Sequence, residues 1–413
     1  MTPEENESAR VNLTEPDTQQ PDHLCHIHDH IQERDDINDV RENVCRNLAT
    51  TEHIDGKYYC LLHLPTKDKA EKFNFVFEAR LKEIDDKVAK IEADFPEDKY
   101  EQATQKNNLT YDFRYVWLPA NVNRLRNYSV RANFGWATFS AAADFRSVTF
   151  SAAADFRSVT FFADANFSSV TFSADAVFYS ATFSADANFG WATFSAAANS
   201  RSAILSAAAN FRWVTFSAAA FFSSATFSAV ANFSFATFSS AADFTSARFL
   251  EHSQIFFETT DFCMIVSFGR AIIEGVVEFD NVVFWDQQQI QNAPNELKIR
   301  FEELQEKRKE LGISDLIDPQ AYLSLEKVQF SNPERISFNS MSLRPCWFVN
   351  VEDARKIVFN DVEWRNIEID VDRAGLDEEF SELTRRHVNR PRQSLIKACN
   401  QLADNAEANR RFE

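Results

Sequence analysis

The chain has 413 residues, including 41 Phe but only 3 Met and 7 Gly, and its formal net charge is −19. This charge argues against a protein that binds nucleic acid by neutralising phosphates. The N-terminus is acidic and polar, and no apolar run reaches the roughly 18 residues that cross a membrane. Six cysteines are too few for a disulfide framework. We therefore expect a cytoplasmic protein with no membrane span and no secretory signal.

Residues 1–67 form an acidic head that is rich in Cys and His and is predicted to hold one structural zinc ion. The predicted ligands are Cys25, Cys45, Cys60 and His63. Three thiolates and one imidazole suit tetrahedral zinc, and the close Cys-x-x-His pair in "YCLLHLP" can hold the metal from one turn. A head this short has too little core to fold without such help. Two alternatives stay open: an acidic arm without metal, and rival or additional ligands at His26, His28 and His30.

Residues 68–110 are predicted to be a helical cap with a linker. The segment "DKAEKFNFVFEARLKEIDDKVAKIEA" at 68–93 contains no Gly or Pro and alternates charged with apolar residues. A helix here would cover the end of whatever sheet structure follows it.

The region 111–285 is dominated by a repeat that is most regular between residues 132 and 252, where eleven units of eleven residues follow one another. Phe recurs after five and then six residues, interrupted only by Ser200 and Leu205, and Ala or Val always lies two residues before it. On an α-helix this spacing would scatter the rings around the axis. Alternating inward residues with corners between them instead predict a solenoid of short strands.

The units, as in "ADFRS VTFSA", resemble those of the pentapeptide-repeat proteins, in a Phe-rich form with a double repeat of eleven residues. The resemblance is strong over 132–252 and weak over 111–131, 253–285 and 326–369. It implies a mainly β fold, the right-handed quadrilateral parallel β-helix, with the central Phe and the preceding small residue inside. The extra residue in each double repeat should enlarge the coil, so that one coil consists of two eleven-residue units. Some relatives also carry a Cys-rich leader that ends in a similar "YC-x-x-H-L-P".

Three regions follow the main repeat. Residues 286–325 contain "NELKIRFEELQEKRKELG" and are predicted to be a helical insertion at a corner. Residues 326–372 are predicted to be degenerate terminal coils, and residues 373–413 to be C-terminal helices that cap them. The last helix reaches the end of the chain without a Gly or Pro stop signal, so both a fragment and a shortened relative stay open.

One outward column of the predicted coils is a candidate partner-binding surface. With two units in each coil, Trp191, Trp213 and Phe235 fall on one side of three consecutive coils, where most other members of the column are Ser. Adjacent exposed aromatic rings suit a protein partner. The alternative is that the 286–325 insertion or a terminal helix covers them, and we expect this cover.

Catalytic signatures such as a P-loop, a Gly-rich dinucleotide turn, G-x-S-x-G or H-E-x-x-H do not occur, so no catalytic residue and no enzyme are predicted. Cys263, Cys346 and Cys399 are isolated and are expected to be inert. The sequence therefore predicts a cytoplasmic, bacterial scaffold that mediates protein–protein interaction. It would bind an unidentified protein and no nucleic acid directly, with homodimerisation left open.

Two other functions stay open. The first, which the resemblance implies, is a DNA-mimicking regulator of DNA gyrase or another topoisomerase, because this is the best-known role in the family. However, residues 132–252 contain seven acidic residues and five Arg, so most of the negative charge lies outside the repeat. The outward Thr-Phe-Ser pattern would suit an ice-binding or other surface-binding β-solenoid, although hydrogen bonding at corners explains the hydroxyls more simply.

Overall fold

The computed structural model describes Cys25 and residues 34–45, 50–54, 57–119, 127–285, 295–310, 321–364 and 374–410. The chain divides into two compact units, Met1–Leu64 and Pro65–Glu413. The first unit contains helix α1 (Arg34–Asn43) and an antiparallel hairpin of strands Thr50–Ile54 and Lys57–Cys60. Among the described residues of this unit, the apolar side chains below 3 % exposure are Val40, Val44, Cys60, Leu62 and Leu64.

Two helices open the second unit, α2 (Ala70–Asp94) and α3 (Lys99–Lys106). The apolar side of α2 is buried, and the ring of its Phe77 lies 4.4 Å from that of Phe113 in the first coil of the sheet structure. The Tyr111 hydroxyl also donates a hydrogen bond of 2.6 Å to Asp85 of α2. Helix α2 therefore covers the N-terminal end of the sheet structure.

The rest of the second unit is a parallel β-solenoid with four sheets, which we number face 1 to face 4 in the order in which one coil passes through them. The strands of face 1 are Ala143–Asp144, Ala165–Asn166, Ala187–Asn188, Ala209–Asn210, Val230–Asn232, Gln254–Glu258, Val276–Asp280, Ile336–Leu343 and Val358–Trp364. The strands of face 2 are Thr149–Phe150, Thr171–Phe172, Thr193–Phe194, Thr215–Phe216, Thr237–Phe238, Asp261–Phe262 and Val283–Phe284.

Faces 3 and 4 complete each coil. The strands of face 3 are Thr110–Asp112, Arg131–Asn133, Ala154–Asp155, Ala176–Val177, Ala198–Asn199, Ala220–Phe221, Ala242–Asp243, Val266–Ser267 and Leu323–Ser324. The strands of face 4 are Trp117–Leu118, Thr138–Phe139, Thr160–Phe161, Thr182–Phe183, Ile204–Leu205, Thr226–Phe227, Arg248–Phe249, Ile272–Ile273 and Gln329–Phe330. The predicted quadrilateral parallel β-helix is confirmed.

The strand register confirms that each regular coil consists of two eleven-residue units. Ala143 pairs with Ala165 on face 1, and Phe150 pairs with Phe172 on face 2. The extra residue of each double repeat falls in the three-residue corners between faces 2 and 3 and between faces 4 and 1. A coil of this length brings identical residues into register, so each side chain lies beside its own counterpart in the next coil.

Phenylalanine rings fill the interior in stacked columns. Along a column, Phe145 and Phe167 have ring centroids 4.7 Å apart and nearly parallel planes. Between columns, Phe145 and Phe156 meet edge to face at 5.4 Å. Both arrangements are favoured for aromatic pairs, and each buried ring contributes about 1.5–3 kcal/mol by leaving water. The Phe repeat therefore produces one continuous core, because each coil buries its rings only against its neighbours.

The corners between faces 1 and 2 and between faces 3 and 4 are tight turns with one residue in the left-handed region. In the turn after Phe145, Ser147 has a φ of 57° and the amide of Val148 donates to the Phe145 carbonyl. The Asp or Asn of the repeat stabilises the turn, since Asp144 Oδ1 accepts from the Arg146 amide at 3.1 Å. The residue that follows this amide, Ser147 in the turn described, therefore always lies on the outside of the solenoid, whatever its type.

Helix α4 (Asn295–Glu310) lies in the segment that interrupts the coils between faces 2 and 3. The guanidinium of its Arg300 forms an ion pair with Asp261 of face 2 at 2.9 Å. Asp261 also accepts a hydrogen bond of 2.8 Å from Trp285. Phe301 of α4 packs beside the same Trp285. These contacts fix the helix on the outer side of face 2.

After the insertion the coils become irregular and end in helices. Phe338 and Phe348 are buried, whereas Phe330, Phe359 and Trp364 are only half-buried. Short 3-10 turns (Pro333–Arg335, Pro345–Phe348 and Ala354–Lys356) precede helices α5 (Ala374–Arg385) and α6 (Pro391–Arg410). A further 3-10 turn, Lys67–Lys69, lies before α2. In the parts of the chain that the structure describes, no helix is both long and apolar enough to cross a membrane.

The second unit's C-terminal helices are held by buried polar contacts. Glu379 of α5, which is fully buried, accepts from the Arg344 guanidinium at 2.7 Å and from the Cys346 amide at 2.8 Å. Asn405 of α6 donates to backbone carbonyls of the Ala354–Lys356 turn and to that of Ile357. These contacts satisfy polar groups that would otherwise be unpaired at the end of the solenoid.

Candidate metal centre and candidate partner surface

Local structure brings the four predicted zinc ligands together within the first unit. Cys45 follows the C-terminus of α1, where its amide donates to the Val40 carbonyl. Cys60 ends the hairpin, and the amide of His63 donates back to the Cys60 carbonyl at 3.1 Å. This turn places both members of the Cys-x-x-His pair on one side, as the sequence predicts.

The ligand atoms form a compact, buried cluster that could hold a metal ion. They all lie within 4.8 Å of one another, and all four residues are buried. His63 Nδ1 is 3.0 Å from Cys60 Sγ, 3.2 Å from Cys45 Sγ and 3.5 Å from Cys25 Sγ, while the sulfurs of Cys45 and Cys60 are 3.7 Å apart. Tetrahedral zinc would separate two sulfurs by about 3.8 Å and a sulfur from a nitrogen by about 3.6 Å. The separation of the Cys45 and Cys60 sulfurs matches such a site, and the shorter distances from His63 Nδ1 to the sulfurs would lengthen around a bound ion.

A backbone amide supports the cluster as well. The Cys60 N–H donates to Cys25 Sγ at 3.1 Å. Hydrogen bonds of this kind orient a thiolate ligand and stabilise its negative charge. His26, His28 and His30, the rival ligands, lie outside the described residues.

The four side chains of the cluster also change one another's protonation. Hydrogen bonds from Cys25 and Cys45 hold the pKa of Cys60 well below its usual value, with a further contribution from the charge of His63. Burial by itself would lower the pKa of His63, but the charge of the Cys60 thiolate and hydrogen bonds with the thiols raise it to about 10. Hydrogen bonds with Cys25 and Cys60 raise the pKa of Cys45. Among the four side chains, one negative charge is thus already formed, and a bound cation would stabilise the others.

The predicted aromatic column lies on the corner between faces 1 and 2. The rings of Trp213 and Phe235 stack at 4.2 Å with planes 7° apart. Trp191 remains 61 % exposed and Trp213 43 % exposed, while Phe235 is half-buried. The expectation that the insertion or a terminal helix covers this column is wrong for the two tryptophans, because α4 is fixed further along face 2. On the adjacent strands of face 2, by contrast, the side chains of Thr215 and Thr237 are buried.

The turn that carries Trp191 is fixed from beneath. A Cβ atom on Gly190 would lie only 3.1 Å from Asn210 Nδ2 and 3.2 Å from Asn188 Oδ1. Asn210 Nδ2 donates to Asn188 Oδ1 at 3.0 Å, and Asn188 Oδ1 accepts from the Gly190 amide at 2.9 Å. A side chain at position 190 would therefore press on these two amide groups, and their hydrogen bonds order the turn that carries Trp191.

Sequence reasoning missed a second exposed aromatic patch near face 4. Phe162 is 55 % exposed and its ring lies 6.4 Å from that of Trp117. Tyr179 and Trp136 are exposed on the adjoining corner between faces 3 and 4. The signal is present in "TFFAD", where Phe162 replaces the Ser that usually follows the Phe of the repeat.

The isolated cysteines all belong to the second unit and to neither site. Cys263 and Cys346 are buried, and Cys399 is half-buried in α6. Burial raises the pKa of Cys346 and of Cys399. A thiol that is held protonated is a poor nucleophile.

Comparison with known proteins adds no identification. A scan against protein-family models, a search of curated proteins and a search of solved structures return no match. The parallel solenoid, with two eleven-residue units in each coil, is consistent with a pentapeptide-repeat fold.

Proposed function

We propose that this protein is a non-enzymatic pentapeptide-repeat scaffold that binds another protein through the column Trp191, Trp213 and Phe235. The observation that carries the proposal is the exposure of two tryptophans on a rigid corner. Tryptophan is enriched at the energetic centres of protein interfaces, and a ring that is already fixed loses little conformational entropy on binding. The ring stacking and the amide hydrogen bonds beneath Trp191 supply this rigidity.

We also propose that Cys25, Cys45, Cys60 and His63 bind one zinc ion, which stabilises the first unit and takes no part in chemistry. The supports are the close spacing of the four ligand atoms, the burial of all four ligands and the few buried apolar side chains among the described residues of that unit. Four protein ligands leave zinc no open position for a substrate.

The acidic residues of the solenoid weigh against DNA mimicry, since several serve the solenoid itself. Asp144 and Asp155 form ion pairs with Arg146 and Arg157 at 2.6 and 2.7 Å. Asp175 and Asp186 accept hydrogen bonds from backbone amides of the next coil. Ice binding is disfavoured because Ile204 and Arg248 interrupt the outward Thr column of face 4.

The partner proposal is tested by a crosslinked pull-down from native lysate of the source cells. We expect a defined protein that is captured by the wild type and lost in the Trp191→Ser/Trp213→Ser variant. The matched control is Phe162→Ser/Tyr179→Ser, which removes two exposed rings from the other side of the solenoid and should retain the partner. Circular dichroism checks that all three proteins fold. Equal capture by both variants would exclude the column as the binding surface.

A further inference from the structure

One coil of the solenoid lacks an interior ring. Ser200 occupies the inward position that Phe178 and Phe222 fill in the adjacent coils. Its backbone is bonded as theirs is, since the Ser200 amide donates to a carbonyl of the next coil at 2.7 Å, as the amides of Phe178 and Phe222 do. The Ser200 side chain therefore points into the core.

The missing ring leaves a space inside the solenoid. Phe178 and Phe222 are each only 1 % exposed, so the backbone at this position is covered. Ser200 is nevertheless half-buried. Its accessible surface therefore belongs to the inward side chain and faces the interior of the solenoid.

The edge-to-face contacts of the repeat identify the walls of this space. Rings at the inward position after face 3 meet the rings eleven residues before and after them, so a ring at position 200 would meet Phe189 and Phe211. Phe189 is 3 % exposed and Phe211 is 4 % exposed. Their counterparts Phe167 and Phe233, whose neighbouring rings are all present, are 0 % exposed. The surface exposed on Phe189 and Phe211 is the surface that the missing ring would cover.

The surrounding coils hold this space open. Strand pairing fixes the rise of each coil, since Ala198 pairs in register with both Ala176 and Ala220. The opposite Phe column is undisturbed, because the rings of Phe189 and Phe211 stack at 5.1 Å with planes 3° apart. A cavity persists where its walls cannot collapse into it.

The space has the thickness of one flat ring. Phe178 and Phe222 are two coils apart, which corresponds to about 9.6 Å at the usual strand spacing of about 4.8 Å. Rings of this column stack at 5.0 Å, as Phe156 does on Phe178 and Phe222 does on Phe244. One planar ring therefore fits between Phe178 and Phe222 with ordinary stacking on both of its faces.

The lining is apolar apart from the Ser200 hydroxyl. Inward residues five apart adjoin at this corner, as Phe178 and Phe183 do at 6.3 Å, so Leu205 borders the space and leaves further room where other coils have Phe. Among the residues that the structure describes, Ser200 Oγ has no hydrogen-bond partner. A buried water needs about two to four polar partners, whereas an apolar cavity of about 150 Å³ stays dry and binds benzene. An aromatic molecule with one polar group suits this lining better than water does.

We propose that this interior space is a binding site for a small molecule of the phenol class, a single aromatic ring with one hydroxyl. The ring takes the place of the missing phenylalanine ring between Phe178 and Phe222, and the hydroxyl donates a hydrogen bond to Ser200 Oγ. The site is separate from the aromatic column and from the metal cluster, and it depends on neither. A ligand that binds only the folded solenoid stabilises it, so occupation should also raise the urea midpoint of the second unit.

The test is the titration of phenol into the full chain by isothermal calorimetry at neutral pH, where a phenol with a pKa of about 10 is uncharged. We expect saturable binding at one site per chain. Ser200→Phe fills the space with a covalent ring and should abolish the binding. The matched control is Ser202→Phe, which adds the same ring two residues further on, at the outward turn position that Trp136 occupies in another coil. It should bind phenol as the wild type does.

A second variant measures the contribution of the hydroxyl. Ser200→Ala keeps the space and removes the hydrogen-bond acceptor. It should weaken phenol binding by about two- to tenfold, the range of one neutral hydrogen bond, and leave the binding of benzene unchanged. Circular dichroism checks that each variant folds. If Ser200→Phe does not fold, Leu205→Phe replaces it, because that ring narrows the same space and should weaken phenol binding.

Three results would overturn the phenol site. The first is the absence of saturable phenol binding to the folded wild type. The second is equal phenol binding by the wild type and the variant that fills the space, which would locate the ligand elsewhere. The third is equal phenol binding by the wild type and Ser200→Ala, which would exclude the hydroxyl contact. The scaffold function is tested separately, by the pull-down partner and its dependence on Trp191 and Trp213.

Discussion

At the residue scale, the aromatic column carries a conformational cost that small residues would reduce. Trp191, Trp213 and Phe235 have φ values of 58°, 62° and 61°, in the left-handed region that bulky residues rarely adopt. Most equivalent turns use Ser. A non-Gly residue in this region costs on the order of 1 kcal/mol or more and is kept where the surroundings enforce it. The repeat enforces the turn, so a large ring at this position faces solvent.

His63 gives a second residue-scale prediction, in the protein stripped of metal. Its pKa of about 10 lies above the ordinary 6.5. Its contribution to stability is therefore full below pH 6.5 and is lost as the pH rises through 10. The lowered pKa of Cys60 acts in the opposite sense, since its contribution is present above the ordinary value of 9.0 and is lost as the pH falls. The first unit without metal should be most stable in the interval between.

The measurement is the pH titration of the His63 ring carbons by NMR, assigned with His63→Gln. A midpoint near 10 is expected in the stripped protein. Cys60→Ser should lower the midpoint, because burial remains while the neighbouring thiolate is removed. A midpoint close to 6.5 in the unsubstituted protein would show that His63 and Cys60 are not paired.

At the element scale, the Phe columns predict where the solenoid can be strengthened or weakened. Ser200 occupies a ladder position between Phe178 and Phe222, so one ring is missing from that column. Ser200→Phe should stabilise the second unit by about 0.5–2 kcal/mol, as filling a gap commonly does. Phe178→Ala, which removes a ring that stacks on Phe156 at 5.0 Å, should destabilise it by about 3–5 kcal/mol.

Both changes are read from the urea midpoint followed by tryptophan fluorescence. Ser200→Ala is the control for loss of the hydroxyl without gain of a ring. If Ser200→Phe lowers the midpoint, the site has no room for a ring, and the serine is a fixed feature of the packing.

At the scale of the whole molecule, the two units rest on different sources of stability. The solenoid is held by contacts between coils, whereas the first unit has a small core and a candidate metal cluster. Structural zinc supplies about 10–16 kcal/mol in zinc-finger peptides, so its loss should destabilise a unit of this kind and increase its local opening.

We expect one zinc ion per chain by elemental mass spectrometry, and loss of protection from hydrogen exchange in residues 57–64 after treatment with a strong chelator. The β signal in circular dichroism should persist, because the solenoid contains none of the four ligands. Cys45→Ser should abolish the zinc, and Cys399→Ser should retain it. A protein purified under zinc-replete conditions that holds none, with residues 57–64 protected, would refute the zinc proposal.

The solenoid could be predicted from the sequence, because the repeat has one register in which every Phe of the five/six spacing, and the Ala or Val two residues before it, is buried. The four metal-cluster residues could be predicted as well, since few residue types suit zinc and one pair lies close together in the chain. Which outward rings stay exposed depends instead on tertiary packing. The insertion docks on face 2 through Asp261 and Arg300, and Trp191 stays 61 % exposed. The position of Arg212 over Phe235 is set in the same way, because it depends on distances between coils that no local pattern encodes.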